Sequence, residues 1–276
     1  MTESTARRLR VPDLKAMKQR GEKIVMITAY DATMARLLER AGMDVLLVGD
    51  SLGMVILGYE TTVPVTLEAM IHHTRAVSNA VKRCLVIADM PFLTYQTSIS
   101  RAMRNAARLI QEGGANAVKL EGGRPIVKVA RRLVEAGIPV MGHLGLMPQS
   151  VNQLGGFRPQ ARGEMERRRL HEDALALEEA GAFAVVLESI PPELAEQVTA
   201  GLAIPTIGIG AGPQCDGQVL VSHDVLGLSD GAIPPFAKQY ARLGEMVVAA
   251  AKSFASEVRE GIYPAVHASA SASHRK

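Results

Sequence analysis

The sequence predicts an α/β protein: one (β/α)8 barrel, a TIM barrel, with an additional helix ahead of its first strand. Three observations predict it. Eight short apolar runs recur along the chain, each followed by a helical stretch. Strands of a parallel sheet, buried on both faces, read as continuous apolar runs of this kind. Each run ends in a small cluster of ionisable or glycine residues, at the end of the strand where such barrels carry their reacting groups. The length, 276 residues, suits a single barrel. The chain therefore reads as one domain over 1–276, with flexible ends at about 1–10 and 266–276.

The elements follow in order. Val11–Gly21, with Pro12 early in it, reads as a helix covering the lower mouth of the barrel. Ile24–Ala29 ends at Tyr30-Asp31 and leads into a helix over Ala32–Ala41. Val45–Val48 ends at Gly49-Asp50-Ser51, ahead of Leu67–Ala80. Leu85–Ala88 ends at Asp89, before Ser100–Glu112. Ala117–Val118 ends at Lys119 and Glu121, before Pro125–Glu135. Pro139–Gly142 ends at His143 and is followed by a long loop rich in Pro, Gly and Gln, Leu144–Gly163, and then by Glu164–Ala180. Loops of that length inside a compact domain are usually functional. Ala184–Leu187 ends at Glu188, before Pro192–Ala200. Ile204–Gly208 opens into the glycine run Gly208–Gly212. Val219–Val221 ends at His223-Asp224, and Phe236–Arg259 is the last helix. Several helices stop at Ala-Gly or Gly-Gly, as a left-handed C-cap requires.

Composition excludes several classes. The net charge is +3, from 31 basic and 28 acidic residues, which leaves no polyanion footprint. Arg167–Arg169 has no interleaved aromatics and reads as a solvated helix face rather than a nucleic-acid patch. Cys84 and Cys215 lie far apart without CxxC spacing, which suits a reducing compartment. The N-terminus is polar, and no apolar stretch reaches the ~18 residues of a membrane span. A cytoplasmic enzyme is the expectation.

Asp50 and Asp89 close neighbouring strands, and Glu121 closes the next. Oxygen-only ligands without Cys or paired His favour Mg2+ over Zn2+; the alternative is that each Asp caps its loop or pairs with Lys119. Lys119 lies two residues before Glu121, so both side chains point the same way along an extended strand end. It can stabilise an enolate or form a Schiff base, or it can serve as counter-ion to the acids. Glu188, at the end of an apolar strand, is a candidate general base or a partner for the N-terminus of the helix after it. His143 is either a further site residue or a satisfied structural one. The run Gly208–Gly212 lacks the spacing of a dinucleotide fingerprint. After a barrel strand it can instead let backbone N–H groups approach an anionic or planar ligand.

Five segments together carry a resemblance: Val48–Met54 (VGDSLGM), Ala88–Phe92 (ADMPF), Val118–Gly123 (VKLEGG), Gly142–Ser150 (GHLGLMPQS) and Ile207–Gly212 (IGIGAG). In this order, between about Val11 and Tyr263, the chain resembles the ketopantoate hydroxymethyltransferase family of pantothenate biosynthesis. The resemblance implies transfer of a hydroxymethyl group from 5,10-methylenetetrahydrofolate to 3-methyl-2-oxobutanoate. It implies Mg2+ held at Asp50 and Asp89, with Glu121 also assigned to the metal, and substrate contacts from Asp50, Ser51, Asp89 and Lys119. It implies Glu188 as proton acceptor and a homo-oligomer, typically a decamer. Tyr30, the long loop and the glycine run are candidates to hold the pteridine. The nearest enzymatic alternative is a barrel of the phosphoenolpyruvate mutase/isocitrate lyase type, which usually brings a Cys-containing catalytic loop; neither cysteine here lies in such a loop. A non-catalytic 2-oxo-acid sensor is the alternative of another class, and it has no use for Glu188 as a base.

Overall fold

The computed structural model describes residues 7–229, 231 and 233–264. Most of the two ends expected to be flexible, 1–6 and 266–276, lies outside the described residues. The chain divides into two compact units, Met1–Ser222 and His223–Lys276.

The first unit opens with α1 (Val11–Arg20) and β1 (Ile24–Thr28). It continues through α2 (Ala32–Arg40), β2 (Val45–Val48), a one-turn α3 (Leu52–Val55), α4 (Leu67–Ser78), β3 (Leu85–Asp89), α5 (Ile99–Gln111) and β4 (Ala117–Glu121). Then come α6 (Arg124–Glu135), β5 (Val140–Gly145), a 3-10 turn at Pro148–Ser150, α7 (Val151–Leu154), α8 (Glu164–Glu179), β6 (Ala184–Glu188), α9 (Pro192–Gly201), β7 (Thr206–Ile209) and β8 (Gly217–Leu220). The eight strands pair in sequence order, all parallel, and β8 closes on β1. The expected barrel with its N-terminal helix is what the chain forms. The long loop after β5 is partly ordered into the 3-10 turn and α7, and its first two residues complete β5.

Helix starts follow their capping residues. The Asp31 carboxylate accepts the N–H groups of Thr33 and Met34, Thr66 that of Ala69, and Ser98 that of Arg101; each satisfies donors that a first turn leaves orphaned. The inner stripe of α6 is Ile126, Val129, Ala130 and Leu133, the spacing of one helical face. Gly142 lets α8 pack closely on β5, because a Cβ there would lie 2.7 Å from Leu177 Cδ1.

The barrel interior holds Ile24, Met26, Val45, Leu47, Leu85, Ile87, Ala117, Met141, Ala184, Val186, Ile207 and Val219, and α1 adds Leu14 and Met17 from below. Lys18 fastens that plug. Its Nζ donates to Thr199 O (2.8 Å), Ile204 O (3.0 Å) and Asp216 Oδ2 (2.9 Å), with both ion-pair side chains only 15% exposed. Lys18→Met should therefore lower stability by about 2–3 kcal/mol, the worth of charge-assisted hydrogen bonds at a mostly buried site. Urea unfolding checks this, and an unchanged midpoint would show the plug to be held by Leu14 and Met17 alone.

In the second unit, α10 (Ser222–Leu226) runs in from the first, and α11 (Leu243–Arg259) follows. The last helix was expected from Phe236; it begins at Leu243 instead. Behind Pro234-Pro235 the backbone turns, with Ala237 N–H donating to Pro234 O and Tyr240 N–H to Val225 O, so those donors are used outside a helix. No residue of α11 is buried, and Met246, Val247, Val248, Phe254 and Val258 are all exposed.

Candidate active site

Strand parity assembles the site. Ile87, Ala117, Met141 and Val186 face the barrel interior, and side chains on one strand share a face every second residue. Asp89, Lys119, Glu121, His143 and Glu188 therefore face inward at the C-terminal mouth. Register then sets the neighbours: Asp89 pairs with Lys119 across β3 and β4, and Glu121 with His143 across β4 and β5.

The contacts form one continuous cluster. Lys119 Nζ lies 3.1 Å from Asp89 Oδ1, 3.8 Å from Glu121 Oε1 and 3.1 Å from His143 Nδ1. His143 Nδ1 is 3.5 Å from Glu121 Oε1, and its Nε2 is 3.1 Å from Glu188 Oε2. Asp50 joins through its backbone, whose N–H donates to Asp89 Oδ2 at 3.0 Å. Ser51 is half-buried, and its hydroxyl lies 2.8 Å from that of Tyr30. Asp50, Asp89, Lys119, Glu121 and His143 are buried, while the Glu188 side chain keeps 13% exposure, so of these the base candidate is the one open to an entering ligand.

Electrostatics follow from this crowding. Burial, then the Asp89 and Glu121 charges, push the Asp50 carboxyl well above the usual carboxylate range. Burial likewise raises Asp89, against the pull of Lys119. Burial also works against ionising Glu121, but the His143 and Lys119 contacts outweigh it and hold its carboxyl low. Burial and Lys119 work against a charged His143, yet Glu121 and Glu188 carry the imidazole up to about 9. Burial opposes a charged Lys119, and the three acids around it overcome that and raise it.

The donor set fits a divalent cation on two grounds. Four carboxylates (Asp50, Asp89, Glu121, Glu188) face two basic groups (Lys119, His143), which leaves two negative charges uncompensated when all are ionised. Asp89 Oδ1 is buried without an aligned hydrogen bond, and buried polar atoms ordinarily have one. Oxygen donors of this kind suit Mg2+. Glu121 stands differently: Oε2 accepts the Gln149 N–H at 3.0 Å and Oε1 faces Lys119 and His143. Among the described residues no three His, Cys, Asp or Glu side chains converge as a preformed metal cage.

Two residues at the centre of the site escaped sequence reasoning. Tyr95, fully buried, accepts the Glu121 N–H through its hydroxyl and lies 2.9 Å from both Glu121 O and Gln149 Oε1. Gln149 Nε2 donates to Asp50 Oδ2 at 2.8 Å. For Gln149 the signals were its place in the long loop and in the segment Gly142–Ser150, with no role attached; for Tyr95 there was none. His73, on α4, is half-buried, with Nδ1 2.7 Å from Tyr30 O. The glycine run has packing duties: Gly212 has φ +81°, and a Cβ there would lie 2.7 Å from Pro192 Cβ. Ser189, directly after Glu188, has φ +49°, uncommon for a side-chain-bearing residue and most often met at functional sites. Both thiols are buried, and burial pushes Cys84 up to about 12 and raises Cys215, so neither is built as a nucleophile.

Residues 8–266 match the model of the family described as ketopantoate hydroxymethyltransferase. A 3-methyl-2-oxobutanoate hydroxymethyltransferase of Moorella thermoacetica is 61% identical over 257 residues, 93% of this chain and 96% of its own length. The enzyme of the same name from Syntrophus aciditrophicus is 54% identical over 263 residues, covering 95% and 97%. Among solved structures, phosphonopyruvate hydrolase in complex with oxalate and Mg2+ superposes with a TM-score of 0.62 at 14% identity, over 94% of this chain and 91% of that one. A 2,3-dimethylmalate lyase of the PEP mutase/isocitrate lyase superfamily does so with a TM-score of 0.59 at 21% identity, over 91% and 88%. At such identities these two likenesses speak for the fold alone.

Proposed function

The chain belongs to the ketopantoate hydroxymethyltransferase family, and on that premise we propose that it transfers a hydroxymethyl group from 5,10-methylenetetrahydrofolate to 3-methyl-2-oxobutanoate. The products are ketopantoate and tetrahydrofolate. One C–H bond, both C–N bonds to the one-carbon unit and one O–H bond of water give way to one C–C, one C–O and two N–H bonds, water supplying the hydroxyl group and both folate nitrogens taking up a proton.

Asp50 and Asp89 are the residues that would hold Mg2+, with Glu121, engaged by Gln149, Lys119 and His143, the third acid assigned to it. The chemistry such an ion supplies is Lewis-acid polarisation of the 2-oxo acid's oxygens, worth several kcal/mol. Lys119 places a positive charge where the enolate charge develops, in a site closed to water, where a fixed charge counts for most. The Ser51 hydroxyl, 2.8 Å from that of Tyr30, is a donor for the substrate carboxylate. Glu188 takes the C3 proton, with the His143 imidazole 3.1 Å from its carboxylate. The C3 carbon, now electron-rich, attacks the one-carbon unit of the folate. The observation that carries this reading is the unbroken chain of contacts from Glu188 through His143 and Lys119 to Asp89. Purified protein given 3-methyl-2-oxobutanoate, Mg2+ and methylenetetrahydrofolate should form ketopantoate; none formed from these three would end the reading.

We propose further that the protein works in the cytoplasm as a homo-oligomer, a decamer by the resemblance. Among the described residues no helix is long and apolar enough to cross a membrane. The exposed apolar residues of α11 support assembly, since large exposed apolar patches usually mark contacts and closed symmetric oligomers are the common result. Light scattering should return a mass many times 29.5 kDa; the mass of one active subunit would refute it.

A further inference from the structure

Gln149 touches three of the elements that carry the site, yet the reaction described above gives it no part. It is buried at 4% exposure on the 3-10 turn Pro148–Ser150, and every polar group of its side chain is engaged. Nε2 donates to Asp50 Oδ2 at 2.8 Å and to Met90 O at 2.9 Å. Oε1 faces the Tyr95 hydroxyl at 2.9 Å and accepts from Gln96 Nε2 at 3.3 Å. Its backbone N–H donates to Glu121 Oε2 at 3.0 Å.

We propose that Gln149 is the positioning residue of the metal and 2-oxo-acid site: its side-chain amide fixes one oxygen of Asp50, so that the other is presented to the cation. This rests on the reading of Asp50 and Asp89 as cation ligands. The amide orientation is determined by its neighbours. Both Asp50 Oδ2 and Met90 O are acceptors, so the NH2 group must face them and the carbonyl must face Tyr95. The neighbouring acid Glu121 is held by the backbone of the same residue, its Oε2 accepting the Gln149 N–H at 3.0 Å while Oε1 lies 3.5 Å from His143 Nδ1. Outer hydrogen bonds of this kind orient metal ligands, and their loss typically costs about 10–100-fold in metal affinity.

The test uses the full chain and Mn2+ alone as probe, followed by steady-state kinetics with Mg2+. Gln149→Met keeps the volume and removes every side-chain hydrogen bond. Gln149→Asn keeps the amide but withdraws it by one methylene, so a folded form of either variant carries the test. The expected result is Mn2+ affinity weaker by about 10–100-fold, a raised KM for 3-methyl-2-oxobutanoate, a lower kcat and an unchanged KM for methylenetetrahydrofolate. Parental Mn2+ affinity in a folded variant, even one with a lower melting temperature, would reduce Gln149 to a packing residue and overturn the proposal. Parent protein that takes up no Mn2+ would overturn the cation reading and this inference with it, so the two failures are told apart by which protein shows them.

Discussion

Asp89→Ala should abolish turnover, by on the order of 10³-fold or more, and leave the barrel folded. One substitution removes three things: an oxygen ligand, the acceptor of the Asp50 N–H, and the carboxylate 3.1 Å from Lys119. Loss of a single preorganised electrostatic partner already costs about 10²–10³ in rate, and a missing ligand compounds it. The fold should survive because the loss of these contacts is partly offset. The Asp89 carboxyl is raised by burial, so its ionised form is a cost to the metal-free protein, and Ala relieves repulsion with Asp50 and Glu121. The melting temperature of the metal-free variant should fall, because the buried Asp50 N–H and Lys119 each lose a partner, while the barrel itself stays folded. Affinity of the parent for Mn2+ should rise with pH, since protons on the raised Asp50 and Asp89 carboxyls compete with the cation and leave as pH climbs through their pKa values. Parental activity in this variant, or full parental activity in excess chelator, would remove Mg2+ from the mechanism.

Glu188→Gln should spare binding of the 2-oxo acid and slow exchange of its C3 proton in deuterated water by about 10²–10⁴-fold, the usual worth of a general base. The amide is the same size and keeps the polar contact that Glu188 Oε2 makes with His143 Nε2 at 3.1 Å, but it accepts no proton. Exchange followed without the folate isolates proton abstraction from the later C–C bond. If the variant exchanges at the parental rate, the proton goes elsewhere, and His143 becomes the first residue to examine.

Local pattern was enough for most of the barrel and for the identity of its acids and bases. An apolar run with a charge at its end is a property of five or six consecutive residues, and side-chain alternation every two residues is set by backbone geometry alone. That is why Asp89, Lys119, Glu121, His143 and Glu188 could be picked out before any contact was known. The exceptions have local causes too: the last helix starts at Leu243 rather than Phe236 because the turn after Pro234-Pro235 uses backbone donors that a helix would need.

What only the tertiary structure decided is how those residues engage one another. Gln149 and Asp50 are 99 positions apart, and no periodicity links a loop amide to a strand-end carboxylate at that distance. Register between β4 and β5 puts His143 beside Glu121, and barrel closure then encloses four carboxylates with two basic groups. Their ionisation is a property of the enclosed cluster, because it depends on lost water and on neighbours from other strands. Sequence names the groups, since chemistry and facing are local; the closed barrel sets their charges and partners, since burial and long-range contact exist only once the chain has folded.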